Sequence, residues 1–194
     1  MLVDYDNAKA SPRRERSDVD ARVSVQRILD TLERVLGLLR TRPRRVFIDL
    51  YGGWRNPDGL PSEDHQRLSR VLTDFVGSKL KTSYVSIALA EAIRECERTM
   101  LIGTRDSGDQ KMVDGMLVLD TVTRARALAG STSAIAVMSA DVDLVPGLLA
   151  ASEVTQRRLP LLLIRLLLVS DTRPDAAPQD RNIDQWVRIL TFRR

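Results

Sequence analysis

Ser133-Ala134-Ile135-Ala136-Val137-Met138-Ser139-Ala140-Asp141-Val142-Asp143-Leu144-Val145-Pro146 decides the fold class. Residues 133–138 form a short apolar run of strand length, an acidic turn follows, and residues 144–152 predict a short helix. The same alternation recurs on both sides of it. Upstream, Met1 to Val3 runs into Asp4 as the end of a strand. Ser17 and Asp20 then predict a capping box opening a long helix, with Val19, Val23, Ile28, Leu32, Val35, Leu36 and Leu39 on its apolar face. Residues 44–51 predict a second strand and 52–61 a turn-rich loop. Leu68, Val71, Leu72, Phe75 and Val76 mark a second helix. Residues 83–89 predict a third strand with a short helix after it. A polar loop at 104–110 precedes a helix over 111–128.

Downstream, residues 161–169 predict a fifth strand. Residues 171–181, with Pro174 and Pro178, read as a linker. Ile183, Trp186, Val187 and Leu190 predict a short C-terminal amphipathic helix, open to a homodimer or protein partner. Strands separated by helices imply right-handed crossovers. The expectation is an α/β domain over residues 1–170, with helices on both faces of a mostly parallel sheet of about five strands. Residues 171–194 supply the linker and helix.

Composition narrows the class. A chain of 194 residues that is 43% hydrophobic can fill a sizeable core. One cysteine, Cys96, excludes an internal disulfide framework and points to a reducing compartment. The most apolar run contains Pro160 and Arg165 and falls short of the roughly 18 residues of a membrane span. Asp4 and Asp6 interrupt any leader, so a cytoplasmic protein is expected. Basic residues exceed acidic ones by 30 − 26 = +4. Only Lys9, Lys79, Lys81 and Lys111 are lysines, so nearly all the positive charge is guanidinium, which suits phosphate recognition. A compositional bias towards arginine accounts for it equally well.

In sheets of this kind functional residues collect beyond the carboxyl ends of strands. Asp4 and Asp6 follow the first strand, and Asp141 and Asp143 follow the fourth. Asp114, near the start of a helix, can reach the same cleft. Crowded carboxylates repel unless protonated or bridged by a cation, and an all-oxygen set suits Mg²⁺ or Mn²⁺. The competing account is helix capping, for which Asp143 stands well placed before Leu144.

Three segments in order carry a family resemblance. Val3-Asp4-Tyr5-Asp6-Asn7 resembles an apolar strand followed by Asp-x-x-Asn. Lys111-Met112-Val113-Asp114 resembles a Lys-x-x-Asp helix. Ser139-Ala140-Asp141-Val142-Asp143-Leu144-Val145-Pro146 resembles Ser-Gly-Asp-x-Asp-Phe-x-Pro, with Ala140 and Leu144 in place of Gly and Phe. Together they resemble the NYN domain, the PIN-like nuclease family that includes LabA-like proteins. The resemblance implies a PIN-like Rossmannoid three-layer sandwich and a metal-dependent endoribonuclease. It makes Asp4, Asp114, Asp141 and Asp143 ligands of Mg²⁺ or Mn²⁺. Asn7 and Ser139 become accessory polar groups and Lys111 a phosphate contact or charge partner. The implied substrate is RNA, single-stranded or structured.

Lys9, Arg13, Arg14, Trp54, Arg55 and Arg105 are candidate RNA contacts, Trp54 as a stacking platform or, more simply, as a pin holding its loop. His65 is the only histidine and has no cysteine or histidine nearby, which leaves no zinc site or hydrolase triad. Two alternatives stay open: a non-catalytic RNA- or protein-binding module of the same fold, and a haloacid-dehalogenase-like phosphotransferase using Asp4 and Asp6 of Asp4-Tyr5-Asp6.

Overall fold

A computed structural model describes residues 1–9, 17–39, 43–56, 58–80, 83–90, 95–96, 99–100, 104–106, 109–141, 143–167 and 187–193. In chain order the elements are β1 (Leu2–Asp4), α1 (Tyr5–Ala8), α2 (Asp18–Leu38), β2 (Arg45–Tyr51) and α3 (Glu63–Leu72). Then come β3 (Lys79–Leu80), β4 (Ser83–Leu89), β5 (Glu95–Cys96), β6 (Thr99–Met100), β7 (Thr104–Asp106) and β8 (Asp109–Lys111). The last are α4 (Val113–Leu128), β9 (Ile135–Met138), α5 (Val145–Val154), β10 (Leu161–Leu167) and β11 (Arg188–Arg193).

One sheet organises the chain, in the order β11-β10-β9-β1-β2-β4-β3. Six strands run parallel and β3 alone pairs antiparallel, with β4. Numbered by appearance, the parallel strands stand 3-2-1-4-5-6, a doubly wound Rossmannoid order. The order reverses between β1 and β9, the place where such sheets open a crevice. Two cores sit on opposite faces. Val25, Ile28, Leu32, Val35 and Leu68 of α2 and α3 pack with Ile48, Leu50 and Ile164. Met116, Leu117, Leu144 and Leu148, around α4 and α5, pack with Leu2, Tyr51, Val137 and Leu163. The result is a three-layer α/β sandwich. Among the described residues no helix is long and apolar enough to cross a membrane.

Local chemistry explains the boundaries. Ser17 Oγ accepts from the Asp20 amide at 3.2 Å and Asp20 Oδ2 from the Ser17 amide at 3.1 Å, closing the capping box that starts α2. Gly147 lets α5 lie against α4, because a Cβ there would stand 2.8 Å from the Val118 methyls.

Several expectations need correction. Val19 and Val23 are 69% and 53% exposed, so the buried stripe of α2 starts with Ala21, Val25 and Ile28 instead. The short helix expected after β4 is replaced, where described, by the paired strands β5 and β6, so Cys96 lies in a strand. The polar loop at 104–110 forms the hairpin of β7 and β8, and Lys111 ends β8 instead of opening a helix. Met112, with φ of 69°, turns the chain into α4 through the left-handed region.

The C-terminal amphipathic helix is a strand over Arg188–Arg193, paired in parallel with β10. Val187 and Ile189 reach one core and Leu190 and Phe192 the other, a period of two that the edge of β10 stabilises with ladder hydrogen bonds. The linker at 171–181, with Ile183 and Trp186, lies outside the described residues.

A candidate acidic site at the switch point

The register places one residue from each of five strands in a single row. Asp4 pairs with Tyr51. Val3 pairs with Met138, which sets Asp4 beside Ser139. Met138 pairs with Ile164, which sets Ser139 beside Arg165, and Arg165 pairs with Thr191. Leu2, Val137 and Leu163 point into the core under α4 and α5. By alternation Asp4, Ser139 and Arg165, two residues further along each strand, fall on that same face.

Asp4 is fully buried and caps the single turn α1. Its Oδ1 accepts from the Asn7 amide at 3.3 Å, while Oδ2 accepts from Asn7 Nδ2 at 2.5 Å and from Ser139 Oγ at 3.0 Å. Asn7 Nδ2 also lies 3.3 Å from Ser139 Oγ. Ser139 Oγ accepts from the Asp141 amide at 3.0 Å, and Asp141 Oδ1 accepts from the Asp143 amide at 2.8 Å. One chain of hydrogen bonds thus runs from the end of β1 through the loop that follows β9.

Asp114 joins this group from the first turn of α4. Although Asp114 is exposed, partial burial first, then the charges of Asp4, Asp141 and Asp143, shift its carboxyl above the usual carboxylate range. A helix N-terminus ordinarily favours an ionised acid, so this crowding outweighs the dipole. The other three acids expected at the site all act electrostatically on Asp114. Capping does not explain Asp143: α5 starts from Leu144 without a side-chain cap.

Donor chemistry fits a hard cation, since every group offered is oxygen. Among the described residues, however, no three His, Cys, Asp or Glu side chains already stand together as a ligand set. Electrostatic reach and coordination distance are different conditions, and only the first is met.

The flanking residues divide. Trp54 is 1% exposed, donates from Nε1 to the Leu50 carbonyl at 3.1 Å and packs tilted on Tyr5, so it pins the loop and offers no stacking face. Lys9 is buried and its Nζ sits 2.8 Å from Asp6 Oδ1, which removes it from any solvated basic run. Arg55 is half-buried, with Nη1 3.4 Å from the Gly59 carbonyl. Arg13 and Arg14 lie outside the described residues, as do the side chains of Arg105 and Lys111.

Two features escaped the sequence reading. Phe47 and Tyr84 are 60% and 59% exposed on the open face of β2 and β4, diagonal neighbours by register, with exposed Arg45 directly opposite Tyr84. Asp120 belongs to a separate network. It accepts from the Tyr51 hydroxyl and from Arg124 Nε at 2.9 Å, and Arg124 Nη1 reaches Asp49 Oδ2 at 2.5 Å. Burial, then the bond to Asp120, pushes the Tyr51 phenol well above its ordinary value.

No family model matches this chain, and no curated protein or solved structure matches it either. The class that fold and site define is therefore a doubly wound α/β domain with an acidic cluster at its switch point.

Proposed function

We propose that this chain is a metal-dependent ribonuclease of the NYN, PIN-like kind that its three motifs resemble, acting on RNA phosphodiester bonds, with an endonucleolytic mode implied by the resemblance. The observation that carries the reading is the charge environment of Asp114. Burial and the charges of three other carboxylates, Asp4, Asp141 and Asp143, raise its pKa, so four acids from three separate parts of the chain act at one place. Asp4, Asp114, Asp141 and Asp143 would hold Mg²⁺ or Mn²⁺. The ion would polarise a phosphoryl oxygen and lower the pKa of a bound water.

The chain's own residues supply the rest. Asn7 and Ser139 fix the Asp4 carboxylate by hydrogen bonds without neutralising it. Ser139 also holds the Asp141 amide, so the loop carrying Asp141 and Asp143 is tied to the end of β1. Phe47, Tyr84 and Arg45, towards the amino ends of β2 and β4 and so up to roughly 20 Å along the strand from the acidic row, form a separate surface that suits unpaired bases and a phosphate backbone.

The alternative of a binding module without turnover draws on one observation, the absence of a closed ligand set among the described residues. The phosphotransferase reading loses ground. Asp6, its supposed acid, is paired with Lys9.

The test is cleavage of labelled single-stranded RNA in Mn²⁺ or Mg²⁺ by wild type and Asp141→Asn. Cleavage abolished by the substitution and by EDTA supports the nuclease. Salt-sensitive binding by both proteins with no cleavage transfers the case to the binding module. Cleavage unchanged in Asp141→Asn sinks the site assignment.

A further inference from the structure

β10 reads Leu161-Leu162-Leu163-Ile164-Arg165-Leu166-Leu167, a run of apolar residues broken once. Arg165 is only 6% exposed, and its Nε is buried without a hydrogen-bond partner. Among the described residues no ion pair involves it. Two other arginines, one buried and one half-buried, behave differently. Arg67 is 8% exposed and holds Asp64 at 2.9 Å, and Arg124 bridges Asp49 and Asp120. A guanidinium keeps its charge at any working pH, so leaving one buried and unpaired is costly, and a leucine would serve the core better.

Position gives the reason. Arg165 is next to Ser139 in the row across the sheet and one strand further from Asp4, on the same face. Strands lie about 4.8 Å apart, so the backbones of Arg165 and Asp4 are roughly 10 Å from each other. That interval separates the cation from the Asp4 carboxylate while leaving both on one face of the sheet, at the carboxyl ends of their strands.

We propose that Arg165 is the phosphate-binding residue of this crevice, a reading that rests on the nuclease assignment for its physiological ligand. A phosphodiester at the acidic row presents its non-bridging oxygens towards the neighbouring strand. There the guanidinium fork donates parallel hydrogen bonds and gains a counter-charge that no described residue supplies. The acids and the arginine thus divide the phosphate between them.

The test uses inorganic phosphate, with Mg²⁺ present throughout, and thermal unfolding of wild type, Arg165→Leu and Arg165→Lys. Phosphate at about ten times its dissociation constant is expected to raise the wild-type midpoint by roughly 3–5 °C. The rise disappears in Arg165→Leu, whose own midpoint without phosphate equals or exceeds that of wild type. In Arg165→Lys, which keeps charge and loses the fork, the rise falls by at least about half; this variant decides the matter if Arg165→Leu does not fold. A rise undiminished in the variants, or absent from wild type, overturns the proposal.

The readout needs no turnover. A wild type that cuts no RNA yet shows an Arg165-dependent shift retires the nuclease and keeps the anion site. One that cuts RNA with an Arg165-independent shift does the reverse.

Discussion

Helix α4 carries two aspartates against the same sheet, and their surroundings are opposite. Asp120 accepts from the Tyr51 hydroxyl and Arg124, and Arg124 also pairs with Asp49, so one guanidinium bridges both carboxylates of the group. Asp114, less than two turns earlier, feels the charges of Asp4, Asp141 and Asp143. The first arrangement fastens a helix to a sheet. The second places like charges together, a repulsion that a proton or a bound cation relieves. Six residues of one helix therefore separate a structural acid from one suited to chemistry, and what distinguishes them is the partner each has been given.

Substitutions sharpen that contrast. The largest effect expected is on cleavage: Asp114→Asn lowers kcat/KM at least about 100-fold, the scale of losing a group that holds a metal in place. Asp120→Asn leaves kcat/KM within about threefold. Equal losses in a cleavage assay would erase the distinction.

Next is Arg124→Ala, which strands Asp49 and Asp120 together and costs about 1–3 kcal/mol in urea unfolding. An unchanged midpoint would show that the network contributes nothing. Asp120→Asn, which keeps the shape and drops one charge, costs less, about 1 kcal/mol by the same measurement.

The smallest effect concerns pH. Because the folded chain raises the pKa of Asp114, the folded state binds that proton more tightly than the unfolded one. Stability therefore falls as pH rises through the folded pKa, and the penalty is absent below the unfolded carboxylate pKa. Without divalent metal, Asp114→Asn melts roughly 1–2 °C above wild type at pH 7, and the two converge in acid. A variant that melts lower at pH 7 would mean Asp114 is held by contacts other than these charges.

The contrast also shows what the amino-acid order could convey. β2, β4, β9 and β10 were legible because buried parallel strands are short apolar runs, and the acids beyond β1 and β9 were legible as local motifs. β11 was misread because six residues fit a period of two as well as one of 3.6 once the partner strand is unknown. Trp54 was ambiguous because an aromatic beside arginine does not reveal which way the ring turns. Gly52 holds the answer, since a Cβ there would stand 2.6 Å from the indole, which lies directly over it.

Arg165 stood in plain view as the one charge in a strand of leucine and isoleucine. Its meaning depends on lying beside Ser139, and cross-strand register between elements far apart in the chain is not written in either of them. The Asp120 network was missed for the same reason: Asp49, Tyr51 and Arg124 meet only after the sheet and α4 have assembled.

The central place of β1 has a consequence for synthesis. Leu2 must wait for Asp49, 49 − 2 = 47 positions later, and for Val137, 137 − 2 = 135 positions later. At ribosomal speeds of 5–20 residues per second, the second wait lasts roughly 7–27 s. Throughout that interval one flank of the earliest strand has no neighbour, and Asp4 has no Ser139 to bind. Loop closure over so long a span makes this a slow-folding topology, one in which the half of the sheet beyond β1 cannot dock until β9 has been synthesised.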